Sequence, residues 1–137
     1  MISRIDIKLI LIASLFAVLL SIFVFPLLQT LLYFLTDTQL DRPIGAYLLR
    51  GYFPLLLAGL YAGLAATKSV LANGVMVGVV YSFTHKLISI IFINSATNIS
   101  WMSMIYGLIE DGIICGLIAW ATFKTVELLK KKGQQNV

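Results

Sequence analysis

The chain has 137 residues, of which 60% are hydrophobic and 12% charged, with a formal net charge of +4. Soluble domains carry about 25% charged residues, so this composition excludes the ordinary soluble class, and the length limits the chain to a single domain. The positive balance reads as a membrane-topology signal before it reads as a nucleic-acid footprint, because it is concentrated at one set of chain segments.

The first element covers residues 9–35 without a charge, after a short polar head containing Ser3, Arg4, Asp6 and Lys8. About 20 residues at 1.5 Å each cross a hydrocarbon core of roughly 30 Å, so this stretch is long enough to span. Cleavable signals have a shorter apolar region, of about 7 to 15 residues, and a small-residue cleavage site. The stretch is therefore expected to be an uncleaved anchor.

A second span is expected over residues 44–66. It carries Arg50 and Pro54, then Gly59 and Gly63 at a spacing of four. Proline inside a helix frees a carbonyl one turn back, so a kink beside Arg50 is expected. The third span, residues 70–93, follows after only three residues and brings Gly74 and Gly78 at the same spacing. A hairpin in which the second and third helices pack glycine face to glycine face is expected, since small residues let backbones approach closely in lipid. On the third helix Gly74, Gly78, Tyr81, Ser82, His85 and Ser89 form one stripe at the helical period, with Lys86 about 100° round from it.

The fourth span is expected over residues 99–123, giving one transmembrane domain over residues 1–137 and about fourteen residues after the last helix. Trp101 and Trp120 lie nineteen residues apart, about 28 Å along a helix, as interfacial anchors would. Ser100, Ser103, Gly107, Glu110 and Asp111 make a polar stripe, while Gly112 and Gly116 lie on a different face. That separation lets the fourth helix meet two neighbours at once. Cys115 lies in the same helix and reads as a small apolar packing residue; as the lone cysteine it forms no intrachain disulfide.

With four spans the N-terminal head, the loop at 67–69 and the C-terminus share a side. Those segments hold Arg4, Lys8, Lys68, Lys124, Lys130, Lys131 and Lys132, against Arg42 alone in the other loops. The positive-inside rule then predicts an antiparallel four-helix bundle with both termini cytoplasmic. The pattern Ala58, Gly59, Ala62, Gly63, then Gly74 and Gly78 is loosely similar to small four-helix bacterial membrane proteins, a resemblance that implies a bacterial inner membrane and carries no known activity.

The intramembrane ionisable set is Arg50, His85, Lys86, Glu110 and Asp111. Such groups are costly in hydrocarbon and mark functional positions by default. Counting inward, His85 lies about 13 Å from Asn94 and Glu110 about 16 Å from Ile99, so the third and fourth helices are expected to face their polar stripes toward each other. Three uses fit: a buried salt-bridge network fixing helix order, a proton or cation path through Glu110, Asp111 and His85, or a docking site for a charged span of a partner.

No HExxH, Cys/His ligand cluster or G-x-S-x-G is present, so neither enzyme chemistry, a metal nor a cofactor is expected. The sequon Asn98, Ile99, Ser100 abuts the membrane and is common by chance. The reading is a non-enzymatic accessory or interaction subunit whose partners are the bilayer and either another membrane protein or further copies of itself. The alternative is a small oligomeric proton- or cation-coupled transporter or channel using Glu110 or Asp111.

Overall fold

The computed structural model describes residues 5–36, 52–93 and 100–135, and those residues are helical throughout apart from short caps and one turn. The elements are α1 (Ile7–Leu19), a π-helical turn (Leu20–Val24), α2 (Phe25–Thr36), α3 (Phe53–Ala65), α4 (Val70–Ile93) and α5 (Trp101–Gln135). Three helical stretches are long and apolar enough to cross a membrane: Ile7–Leu28, Val70–Ile91 and Trp101–Gln134. The fourth, Phe53–Ala65, is a shorter apolar helix.

Each departure from the expected spans has a local cause. Pro26 has no N–H to give and its ring collides with the carbonyl four residues back, so the first helix widens just ahead of it into the turn Leu20–Val24. Pro54 is the second residue of α3, which follows directly on Tyr52 in a π-helical conformation, and the expected kink beside Arg50 lies outside the described residues. The expected start of the second span, Arg50 included, lies outside the described residues. At the other end, α5 runs on through the expected tail. Its 35 residues make about 52 Å of helix, roughly 22 Å more than a hydrocarbon core needs.

The bundle is assembled from small residues. Ala13 and Ala17 of α1, Ala58 and Ala62 of α3, Val77 of α4, and Cys115 and Ala119 of α5 are all fully buried. Lipid is as apolar as leucine, so close van der Waals packing rather than exclusion from water must hold such helices together. The N-terminus of α1 is tied to the α3–α4 turn by polar bonds. The Asp6 carboxylate accepts from the Leu9 N–H at 3.0 Å, and the Asp6 N–H donates to Asn73 Oδ1 at 3.0 Å. Asn73 Nδ2 in turn donates to the Lys68 carbonyl at 3.0 Å, and the asparagine is only 1% exposed.

The glycine faces meet differently from the expected hairpin. A Cβ on Gly59 would strike Ile118, and one on Gly63 would strike the Ala119 carbonyl and Thr122; a Cβ on Gly74 would meet Ala119 and Gly116, and one on Gly78 the Asp111 carbonyl and Cys115. Both glycine pairs are therefore turned onto α5, which forms the spine between α3 and α4, rather than onto each other. Gly112 and Gly116 return the contact to α4 at Val75 and Val79. The surface that α5 offers to α3 is Cys115, Ile118, Ala119 and Thr122, with no glycine in it. Along these contacts α4 runs antiparallel to α5, since higher numbers on one meet lower numbers on the other, and α3 runs parallel to α5.

Candidate functional site

The antiparallel α4–α5 seam that places Gly78 on Asp111 also decides where the polar side chains go. One turn beyond Gly78, Ser82 lies beside the Asp111 carboxyl. Ser82 is 2% exposed, and its hydroxyl is a hydrogen-bonding neighbour of the Asp111 carboxyl. A further turn along, Lys86 crosses the seam. Its ammonium donates to the carbonyls of Met104 at 3.1 Å and Ser103 at 3.4 Å, and it occupies the space a Cβ on Gly107 would need. The missing side chain at Gly107 is what lets a lysine lie between two helices.

Lys86 therefore enters the α4–α5 seam although it lies about 100° round from the stripe. Its four-carbon stem covers the angular difference. His85 stacks at a tilt on Tyr81, with ring centroids 5.7 Å apart, and its carbonyl accepts from Ser89 Oγ at 2.9 Å. Asp111 lies within electrostatic reach of His85, Lys86 and Glu110. Tyr81, 3% exposed, reaches the Ser21 hydroxyl in the widened turn of the first helix. The inward cluster is thus Ser21, Tyr81, Ser82, His85, Lys86 and Asp111.

Glu110 goes elsewhere. It is exposed, and Oε1 accepts from the Tyr52 hydroxyl at the head of α3 at 2.6 Å. Adjacent residues on a helix point about 100° apart, so Asp111 faces α4 while Glu110 faces the α3 side. Along that side the two helices leave a shallow, open apolar groove made of two depressions that share Ile118. Its upper part, about 300 Å³, is lined by Tyr52, Phe53, Leu56, Ile114 and Ile118. Its lower part, about 370 Å³, continues past Leu60 and Ile118 to Thr125 and Val126. Glu110 stands at the head of this groove, one turn before Ile114.

Among the described residues the ion pairs join Glu127 to Lys124 at 2.8 Å and to Lys131 at 3.2 Å, on the exposed extension of α5. No group of three His, Cys, Asp or Glu side chains there could hold a metal ion. The sequence reading missed three buried polar residues, Ser14, Ser21 and Asn73. The signal for the serines was present as a run of small residues, Ala13, Ser14, Ala17 and Ser21, at helical spacing on an otherwise bulky apolar span. Ser14 Oγ donates to the Val77 carbonyl at 3.1 Å, which joins α1 to α4 across that small-residue face. Asn73 had no such periodic signal.

No family model, curated protein or solved structure matches this chain.

Proposed function

We propose that the protein is a non-enzymatic membrane subunit that acts by binding another membrane protein through helix contacts within the bilayer. The observation that carries this reading is Glu110: a carboxyl on the outer surface of the bundle, held by Tyr52, at the head of a concave apolar groove. A carboxylate facing hydrocarbon is costly, and an interaction partner that supplies further donors removes that cost. A carboxylate has about four acceptor positions, and the Tyr52 hydroxyl occupies one. The same reading places the chain in a bacterial inner membrane as four spans with both termini cytoplasmic. Lys8, Lys68, Lys124 and Lys130 to Lys132 belong to the end of the bundle where Asp6 meets Asn73 and Gly63 meets Thr122, which supports the orientation by the positive-inside rule.

Purification of the tagged chain from native membranes in mild detergent tests the proposal. A stoichiometric foreign membrane protein in the complex, depleted at least tenfold by Glu110→Gln, is the expected result; a pure homo-oligomer indifferent to that change overturns it.

A second reading has its own observation. The buried Ser82 hydroxyl beside Asp111, with Lys86 and His85 around it, favours a proton- or cation-coupled transporter. That version predicts loss of pH-dependent flux in liposomes for Asp111→Asn, whereas the interaction subunit gives no flux with or without the substitution.

A further inference from the structure

The outward faces of the described helices are mostly apolar, as lipid-facing surfaces are, so exposed apolar area alone distinguishes none of them. The face between α3 and α5 differs in two respects. It is concave, because the parallel pair is drawn together by the close approaches of Gly59 to Ile118 and Gly63 to Ala119 and Thr122. It also carries a charge, because Glu110 opens onto its upper end beside Tyr52. From Ile114 to Val126 the groove follows twelve residues of α5, about 18 Å, a little over half the depth of a hydrocarbon core, with Glu110 one turn beyond its upper end.

We infer that the α3–α5 groove seats one transmembrane helix of a partner protein that carries an arginine or lysine at the level of Glu110. This rests on the interaction-subunit reading above and names its partner's chemistry. Charge complementarity selects the occupant. A lipid chain fills an apolar groove but brings no donor to mid-membrane depth, and an uncharged helix leaves the carboxylate with Tyr52 alone. A guanidinium presents a fork of N–H donors that matches a carboxylate in two parallel bonds, and the pair then leaves neither partner's charge in hydrocarbon by itself. Below the charge, the lining alternates Ala121, Thr122 and Thr125 with Leu60, Ile118 and Val126, a mixed small and apolar surface of the kind against which membrane helices pack.

The test uses the full chain reconstituted in phosphatidylcholine vesicles with a fluorescently labelled 21-residue leucine-alanine helix bearing one central arginine. The same helix with leucine at its centre is the reference, and association is read by energy transfer. The arginine helix is expected to associate at least tenfold more strongly than the leucine helix. Glu110→Gln is expected to erase that preference, and Leu56→Trp, which fills the groove without touching the carboxyl, to weaken association of the arginine helix severalfold. Equal binding of the two helices, or a preference that survives Glu110→Gln, overturns the inference. So does formation of a dimer of the chain that displaces the arginine helix, which would make a second copy the occupant, or a preference seen only in Arg50→Ala, which would make the chain's own Arg50 the partner of Glu110. If the native complex described above persists in Glu110→Gln while the arginine helix shows no preference, the interaction-subunit reading stands and this inference alone falls.

Discussion

At the scale of single residues, the glycines divide by what stands opposite them. A Cβ at Gly78 would run into the Asp111 carbonyl and one at Gly63 into the Ala119 carbonyl, both backbone atoms that cannot step aside. Gly78→Ala and Gly63→Ala are expected to cost about 1–3 kcal/mol each in detergent unfolding titrations, the range of an overpacked core. At Gly112 the nearest obstacle is a Val79 methyl at 3.0 Å, and the gain in helix propensity offsets the small displacement it needs. Gly112→Ala should therefore be close to neutral, and Gly133→Ala, with open space around it, should firm up the end of α5. Gly107 is a separate case, because its would-be Cβ meets the end of the Lys86 side chain. Gly107→Ala should displace the ammonium from the Met104 carbonyl and cost about 1.5–3 kcal/mol, but little in a Lys86→Ala background, so the double-mutant cycle should show a coupling of that size. The inward turn of Asp111 and the outward turn of Glu110 were not legible in the sequence. Two adjacent carboxylates about 100° apart straddle any stripe drawn on a helical wheel, and only the Gly78–Asp111 contact fixes which one faces α4.

At the scale of elements, the helices and their apolar faces were legible in the residue pattern, but not their interruptions or ends. The π-helical turn Leu20–Val24 follows from Pro26, yet proline two residues into a following helix is also compatible with a plain kink, so the widened form required the structure. The length of α5 was hidden because its last turns have lost the apolar signal that marks a span. They are held instead by local charge: Lys124 and Lys131 flank Glu127 and draw its carboxyl below the usual glutamate range. A carboxyl whose folded pKa is depressed contributes stability above its unfolded pKa and loses it as pH falls through the folded value. Acidification through and below the ordinary glutamate range should therefore fray residues 124–135 while leaving the buried seam intact. Amide protection factors, taken against the unstructured rate at each pH, should fall in that segment alone, and Glu127→Gln should remove the pH dependence of the fraying. Exposed pairs of this kind are weakened by salt, so the effect should shrink at high ionic strength.

At the scale of the whole molecule, the long continuous apolar runs were enough to make the chain a bundle of helices, because a closed barrel, the other way to satisfy the backbone in lipid, needs short strands of alternating polarity. The number of crossings is a finer matter. Three helices are long enough to span, and α3, with thirteen residues and about 20 Å of length, is not long enough by itself. An odd number of crossings would put the termini on opposite sides, but the packing argues for an even one. The Asp6–Asn73 bond brings the start of α1 to the α3–α4 turn, and the Gly63–Thr122 approach brings the late turns of α5 to the same end. Helix α1 leaves that end, α3 runs toward it, α4 leaves it and α5 returns, an order of directions that agrees with the proposed four spans. Single cysteines introduced at Thr38→Cys, Thr67→Cys and Gln134→Cys in a Cys115→Ser background decide the question, since the native thiol is fully buried and its replacement leaves the surface silent. An impermeant maleimide added to intact cells should label position 38 and spare positions 67 and 134 until the membrane is opened. Labelling of 38 and 67 from the same side would mean that α3 enters and leaves the bilayer on one face. The positive charge gathered at the α3–α4 turn and the end of α5 would then have to be explained by something other than membrane orientation.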